Sequence, residues 1–396
     1  MRKAFALTFL SIFWPIHLLL AQDFDSEYFT PEIIQIERPV LNVAVCLPFE
    51  LDEESPTKAG QYATEFYKGF LLGLDSLRMA YGNPPLNIIA IDTGKGIDLH
   101  NKLLDKADII IAPESSSQLA ELGAFGLKNK KYIFNTFQAR DSTFQENPYM
   151  IQGNIVANAM YSKAIDWFLQ NLYDAVPVIL DNETGKKDRL PFVEALTQKL
   201  NEIGREFIML TYDGALTSSA LLSNLPEDAT GLVFIPTSGA HNEFQKISTA
   251  LVNYKNALAE TGTTKIRLFG YPEYTRFTGD SYDKMKTIGT TIFSRFYFDP
   301  NTLYEHPVNN SYMERYGESL PDGVPNQAMY GFDVAQWILK LTRNESLNPE
   351  GILNTHLDDG QQVAYRFMSI PGGGFANDAI LLVTLGEEIE TIVEIK

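Results

Sequence analysis

Between Asp108 and Glu121 the chain reads DIIIAPESSSQLAE, and here residue types and spacing come closest to a binding chemistry. Ile109, Ile110 and Ile111 form a short β-branched run, the pattern of a strand buried on both faces. Pro113 stops it. Ser115, Ser116 and Ser117 then stand where a helix begins, ahead of Leu119, Leu122 and Phe125 at helical spacing. Serines at a helix start combine unpaired backbone N–H groups, hydroxyls and the positive end of the helix dipole, which suits the carboxylate of a small ligand. The same run also fits a plain helix cap, one serine closing the helix and the others lying in loop.

Other chemistries find less support. The five histidines, at 17, 100, 241, 306 and 356, show no pair at metal-ligand spacing, and one cysteine gives no zinc signature. Neither G-x-S-x-G nor a P-loop occurs; Thr93-Gly94-Lys95-Gly96 lacks the required spacing. A nucleophile at Ser116 would need a basic partner that the sequence does not locate. Among 50 carboxylates some pair always looks suggestive, so a glycosidase-like pair is not selected. The chain reads as a non-enzyme, with no cofactor and no metal.

The elements that position the serine run alternate. Leu41–Phe49 reads as a strand, followed by Ala63, Phe66, Tyr67, Phe70, Leu71, Leu74 and Leu77 at helical spacing. Asn87–Asp92 is the next strand, with a short helix near Leu99–Leu104, then the serine-tipped strand with its helix, then Tyr132–Phe134. A second block repeats the arrangement: a helical stripe from Ala157 to Phe168, then strands at Val176–Leu180, Phe207–Leu210, Gly231–Ile235 and Lys265–Phe269 with helices between them. Strands alternating with helices imply parallel sheets covered on both faces, and each block is the size of one doubly wound domain. The tail from Thr291 holds an extended aromatic segment, a long helix through Ala328–Leu339, and extended segments at Val363–Met368 and Ala379–Thr384 around Gly372-Gly373-Gly374. That is too little for a third domain and reads as completing the first two.

The N-terminus has the form of a cleavable signal peptide (1–21). Arg2 and Lys3 precede an apolar stretch, Phe5 to Leu20, that ends at Ala21 before the polar Gln22-Asp23-Phe24-Asp25. Pro15 within it argues against a membrane anchor, and no later stretch reaches the ~18 apolar residues of a span. Removing Arg2 and Lys3 leaves 30 basic against 50 acidic residues, a net charge of about −20. So acidic a body argues against nucleic acid and anionic lipid as partners. Cys46, alone in LNVAVCLPF, reads as a buried thiol; it forms no internal disulfide and lies too far from the cleavage site to be a lipidated first residue. The expected compartment is therefore the periplasm, without a lipid anchor.

From about Leu41 onward the chain resembles the type I periplasmic binding proteins, in particular the branched-chain amino-acid (leucine-binding) group. LNVAVCLPF looks like that family's opening strand, ATEFYKGFLLGLDSL like its first helix and ADIIIAPESSS like its strand and serine loop. NQAMYGFDVAQWIL looks like its late helix, and the GGGF stretch like its closing strands. RLFGYPEYTRF and TIFSRFYFDPN look closer to a subgroup often fused to peptidoglycan-binding LysM modules; no such module is present in this sequence. The order of these loose motifs carries the likeness.

The resemblance implies an α/β protein of two Rossmann-like lobes joined by three hinge crossovers, closing around a small ligand. Placing crossovers near Gly153–Val156, Ser294–Phe298 and Ala364–Met368 gives a lead-in (22–39), a first lobe of 40–154 plus 298–364 and a second of 155–297 plus 365–396. It also implies a ligand site at Ser115, Ser116, Ser117, Thr136, Tyr212 and Glu273. The serine loop would hold a carboxylate, Tyr212 form an aromatic wall and Glu273 face an ammonium. FNTFQAR departs from the family pattern, with Thr136 the nearest match and Phe137 and Arg140 unlike it. Tyr212 also fits ordinary rim packing, and Glu273 a solvated charge. Two functions follow: a solute receptor serving an ABC-type importer or sensor, or an envelope scaffold acting on cell-wall enzymes, its cleft filled by Phe137, Tyr271 and Tyr274.

Overall fold

The computed structural model describes residues 40–226, 229–261, 265–344, 347–386 and 389–394. The signal peptide and lead-in expected at 1–39 lie outside them. The first block forms β1 (Leu41–Leu47), α1 (Lys58–Leu77), β2 (Leu86–Asp92), α2 (Lys102–Lys106), β3 (Ile109–Ala112), α3 (Ser116–Asn129), β4 (Tyr132–Asn135) and β5 (Met150–Gln152). The second forms α4 (Ala157–Asn171), β6 (Val176–Asn182), α5 (Leu190–Glu202), β7 (Ile208–Tyr212), α6 (Ser218–Asn224), β8 (Gly231–Pro236), α7 (His241–Thr261), β9 (Lys265–Gly270), α8 (Asp280–Ile288) and β10 (Thr290–Ser294). The tail adds α9 (Pro307–Tyr316), α10 (Gln327–Asn344), α11 (Pro349–Asn354), β11 (Phe367–Ser369), β12 (Phe375–Asn377), β13 (Ile380–Leu385) and β14 (Ile389–Glu394).

Two seven-stranded sheets result, ordered β11-β12-β5-β4-β3-β1-β2 and β14-β13-β10-β9-β8-β6-β7. Each contains the same five-strand parallel core with its first strand second from the edge. The strand order therefore reverses between β1 and β3, and again between β6 and β8. Period-2 alternation splits the first sheet's core as a pleated strand should. Val43, Val45, Ile109 and Ile111 pack toward α1 and α10, whereas Ala44, Cys46 and Ile110 pack toward α3. Helix α10 returns from the tail to lie on α1, and glycines let the two backbones touch. A Cβ at Gly69 would stand 1.8 Å from the Ala328 carbonyl oxygen, and one at Gly331 1.9 Å from that of Phe66.

One expected boundary is corrected. Residues 365–396 were expected in the second lobe, but β11 and β12 extend the first sheet, β12 pairing in parallel with β5. The cause is local: the Gly372–Gly374 loop seats on the segment before β5, where Gly374 N–H donates 2.7 Å to the Phe144 carbonyl. The chain switches sheets only between Asn377 and Ile380, not at Ala364–Met368. The other two switches fall between β5 and α4 and between β10 and α9.

Side chains tie these crossovers together. Arg295 Nε donates 2.8 Å to the Ile155 carbonyl, and Asn377 Nδ2 donates 2.9 Å to that of Ala364. Buried Lys163 of α4 pairs with Asp378 at 2.7 Å. The Tyr297 N–H reaches the Gln362 carbonyl at 3.0 Å.

Candidate functional site

In open α/β sheets ligands bind beyond the carboxyl ends of the strands, where strand order reverses. In the first sheet that rule selects the loop after β3, which is the serine run. Ser115 is the N-cap of α3, with extended backbone and no side-chain capping bond. All three serines are exposed, and the hydroxyls of Ser115 and Ser117 stand 3.0 Å apart. The first intrahelical bond is Leu119 N–H to the Ser115 carbonyl, which leaves the N–H groups of Ser116, Ser117 and Gln118 at the helix mouth. The cap explanation therefore accounts for the backbone of Ser115 but for none of the hydroxyls.

Orphaned polar atoms surround this mouth. Thr93 Oγ1, Gln118 Oε1 and Thr136 Oγ1 are buried without a hydrogen-bond partner, and buried polar atoms are rarely left so unless ligand or water meets them. Thr136 is itself fully buried after β4, its carbonyl accepting from the Tyr330 hydroxyl. The loop carrying it is clamped. Asn135 Oδ1 accepts from Gln138 N–H at 3.0 Å, Asn154 Nδ2 donates 2.9 Å to the Phe137 carbonyl, and Gln138 Nε2 donates to the Glu114 carbonyl beside the serines.

The reversal point of the second sheet lies between the loops after β6 and β8. There Ser238 Oγ donates 2.5 Å to Asp188, Thr237 Oγ1 3.2 Å to Asp181, and Lys187 pairs with Asp181 at 2.8 Å. Arg189, at the start of α5, donates 3.0 Å to the Tyr161 hydroxyl and forms an ion pair with Glu273. Glu273 thus already pairs through Oε1 with a cation of the protein, while its Oε2 has no hydrogen-bond partner. Tyr212, half-buried at the end of β7, has its phenol pKa raised by burial and by nearby Glu243 and Asp181. It stays protonated, a donor on the rim.

The aromatic side chains expected to fill the cleft do something else. Tyr271 and Tyr274 are fully buried in the second lobe's core, Tyr271 donating 2.6 Å to the Pro236 carbonyl. Phe137, partly exposed, packs edge-on against Phe66 and Tyr330 at the margin of the first lobe's core. Sequence reasoning missed Arg189 and Arg295. A lone arginine inside the apolar run Ile292–Phe298 was the available signal for the second. Among the described residues no group of His, Cys, Asp and Glu side chains is placed to hold a metal ion, and no helix is long and apolar enough to cross a membrane.

No protein-family model and no curated protein matches the sequence. Solved structures do. A protein assigned to a branched-chain amino acid ABC transporter of Rhodospirillum rubrum is similar at a TM-score of 0.57 and 12% identity, over 89% of this chain and 100% of that one. The substrate-binding protein LivJ of Streptococcus pneumoniae, in complex with isoleucine, gives 0.43 at 12% identity over 90% and 100%. A solute-binding protein of R. palustris in complex with benzoate gives 0.42 at 13% identity over 90% and 95%. With the sheet orders described above, the first of these likenesses defines the class of fold: two α/β lobes arranged as in the type I periplasmic binding proteins.

Proposed function

We propose that this chain is an exported, non-enzymatic solute-binding protein of the periplasm, which closes two lobes around a small polar ligand for an ABC-type importer or sensor. The carrying observation is the mouth of α3. Three exposed serines, free helix N–H groups and the orphaned Thr93, Gln118 and Thr136 converge at the strand-order reversal. The fold's likeness to an ABC-transporter protein supports the same role. The scaffold alternative needed a cleft packed with Phe137, Tyr271 and Tyr274, and the burial of both tyrosines in the second lobe's core leaves only the partly exposed Phe137 to support it. The likeness to the LysM-associated subgroup is compatible with ligand binding within the cell envelope.

The test begins with mass spectrometry of purified protein for a co-purifying metabolite and a thermal-shift screen of small organic acids and amino acids. Calorimetry of the hit then compares wild type with the Ser116→Ala/Ser117→Ala double variant. A hydrogen bond to a charged group contributes about 1.5–3 kcal/mol. The backbone donors survive the substitution, so a loss near the lower end, roughly tenfold, is expected. Unchanged affinity would remove the serine loop from the site.

A further inference from the structure

A hydrogen bond runs directly from one lobe to the other. Arg276 ends the turn Pro272–Arg276 of the second lobe, and its Nε donates 2.9 Å to the Val324 carbonyl, in the first-lobe loop that leads into α10. The Arg276 side chain is otherwise exposed.

Both ends of this bond are held. On the first lobe Gln362 clamps the backbone just after Val324: its Oε1 accepts from the Asn326 N–H at 3.0 Å, and its Nε2 donates 2.6 Å to the Asn326 carbonyl. Asn326 Nδ2 in turn donates 2.5 Å to the Pro321 carbonyl. The same Gln362 receives the Tyr297 N–H, which ties the loop to the second crossover. On the second lobe Tyr274 and Phe277 flank Arg276 in sequence and are buried in the core, their rings stacked at 4.8 Å. Thr275 Oγ1 donates 2.8 Å to the Pro272 carbonyl across the turn. Each loop is thus fixed to its own lobe by buried groups, and the water-exposed bond between them is the one that yields when the lobes part. Both its partners line a cavity of about 210 Å³ that also takes in Ser294, Arg295 and Phe296 of the crossover. The wall of that cavity draws on both lobes, so its shape follows the angle between them.

We propose that Arg276 and the Val324 carbonyl form an interlobe latch, which holds the free lobes at the separation described here and breaks when the cleft opens about its crossovers. A bond made in one of two arrangements stabilises only that arrangement. The latch belongs to the free protein and acts whichever solute enters.

The experiment measures lobe separation in the full chain by spin-label distances. Cys46 is buried, and burial pushes its thiol pKa up to about 12, so labels go to introduced cysteines. Leu51→Cys after β1 and Ala215→Cys after β7 are exposed positions beyond strand ends of the two lobes. Distance distributions are compared with and without Arg276→Ala, whose exposed side chain can be truncated without opening the core. Loss of one hydrogen bond should multiply the ratio of open to closed molecules roughly 2- to 12-fold, seen as weight moving to longer distances. A distribution that stays unchanged, or that moves to shorter distances, overturns the latch. Either result leaves the solute-binding reading standing, because no solute is added.

Discussion

Asp333, on α10, is fully buried and accepts three backbone N–H groups, from Gln361 at 2.6 Å, Gln362 at 2.9 Å and Val363 at 3.1 Å. Those residues carry the carbonyl that receives Tyr297 N–H, so one carboxyl group holds the loop against which the second crossover rests. Burial pushes its pKa up to about 7, although the three N–H groups pull it down. Asp333→Asn keeps one acceptor oxygen, which can serve the Gln362 and Val363 N–H groups that share one carboxylate oxygen, and turns an NH₂ group toward the Gln361 N–H. At about 1–3 kcal/mol for a buried donor left unmade, the expected loss is about 1–3 kcal/mol. The pH dependence has a definite sign. Because the folded pKa is raised, the folded state binds this proton more tightly, and the contribution to stability is full below about pH 4 and lost as pH rises to about 7. Between pH 5 and pH 7 that amounts to roughly 2–3 kcal/mol in the wild type, and it is absent from the variant. Urea unfolding followed by fluorescence of the buried Trp167 and Trp337 at pH 5 and pH 7.5 reads both effects. The gap between wild type and variant should be wider at pH 5. A loss under about 1 kcal/mol, or a gap that does not move with pH, would refute the reasoning.

Two further outcomes are expected. Gly69→Ala places a methyl group against the Ala328 carbonyl, where no side chain is available to yield; α1 and α10 must part, lowering stability by about 3 kcal/mol, measured by thermal unfolding. Export with cleavage after Ala21 should give a periplasmic chain starting close to Gln22 by intact mass, and a full-length chain confined to the cytosol would contradict it.

The fold was legible where pattern and burial coincide. Ile109–Ile111 and Leu41–Leu47 declare buried parallel strands because nearly every residue is apolar. The β11–β12 hairpin was misassigned because its partner is chosen by a tertiary contact: Gly373 and Gly374 lie against the backbone of residues 144–150. Three-residue strands carry too little periodicity to announce that. The placing of the serine run at a strand end and helix start was legible, because these are local features. The side-chain pairings of the second lobe were not. Glu273 and Arg189 are 84 residues apart, and no spacing rule shows that one neutralises the other. Tyr271 and Tyr274 look like rim aromatics in sequence, yet they point into the core from the turn at Pro272–Arg276.

The proposed carboxylate site at the α3 mouth lies on a chain of net charge −18, and the short range of screened electrostatics reconciles the two. At physiological salt, exposed charges more than about 8 Å apart are largely screened from one another. A ligand inside a crevice therefore responds to the groups that line it, whose fields are focused by low-dielectric walls. Two carboxylates at the first lobe's strand ends are held by the protein's own donors, whereas Glu114, beside the serines, is exposed. Asp92 accepts N–H bonds from Glu50, Leu51 and Gly94 at 3.1, 2.9 and 2.9 Å. Burial alone would raise its pKa, but these bonds outweigh it and hold the group ionised and satisfied. Glu50 is likewise bound by the Thr57 N–H and hydroxyl at 2.6 and 2.8 Å, and Glu273 by Arg189. Asp92 and Glu50 are thus satisfied by the protein's own donors, whereas Glu273 keeps one oxygen, Oε2, without a partner. The acidic surface disfavours nucleic acid and anionic membranes, while the helix N–H groups and serine hydroxyls at the α3 mouth offer donors to a small anion.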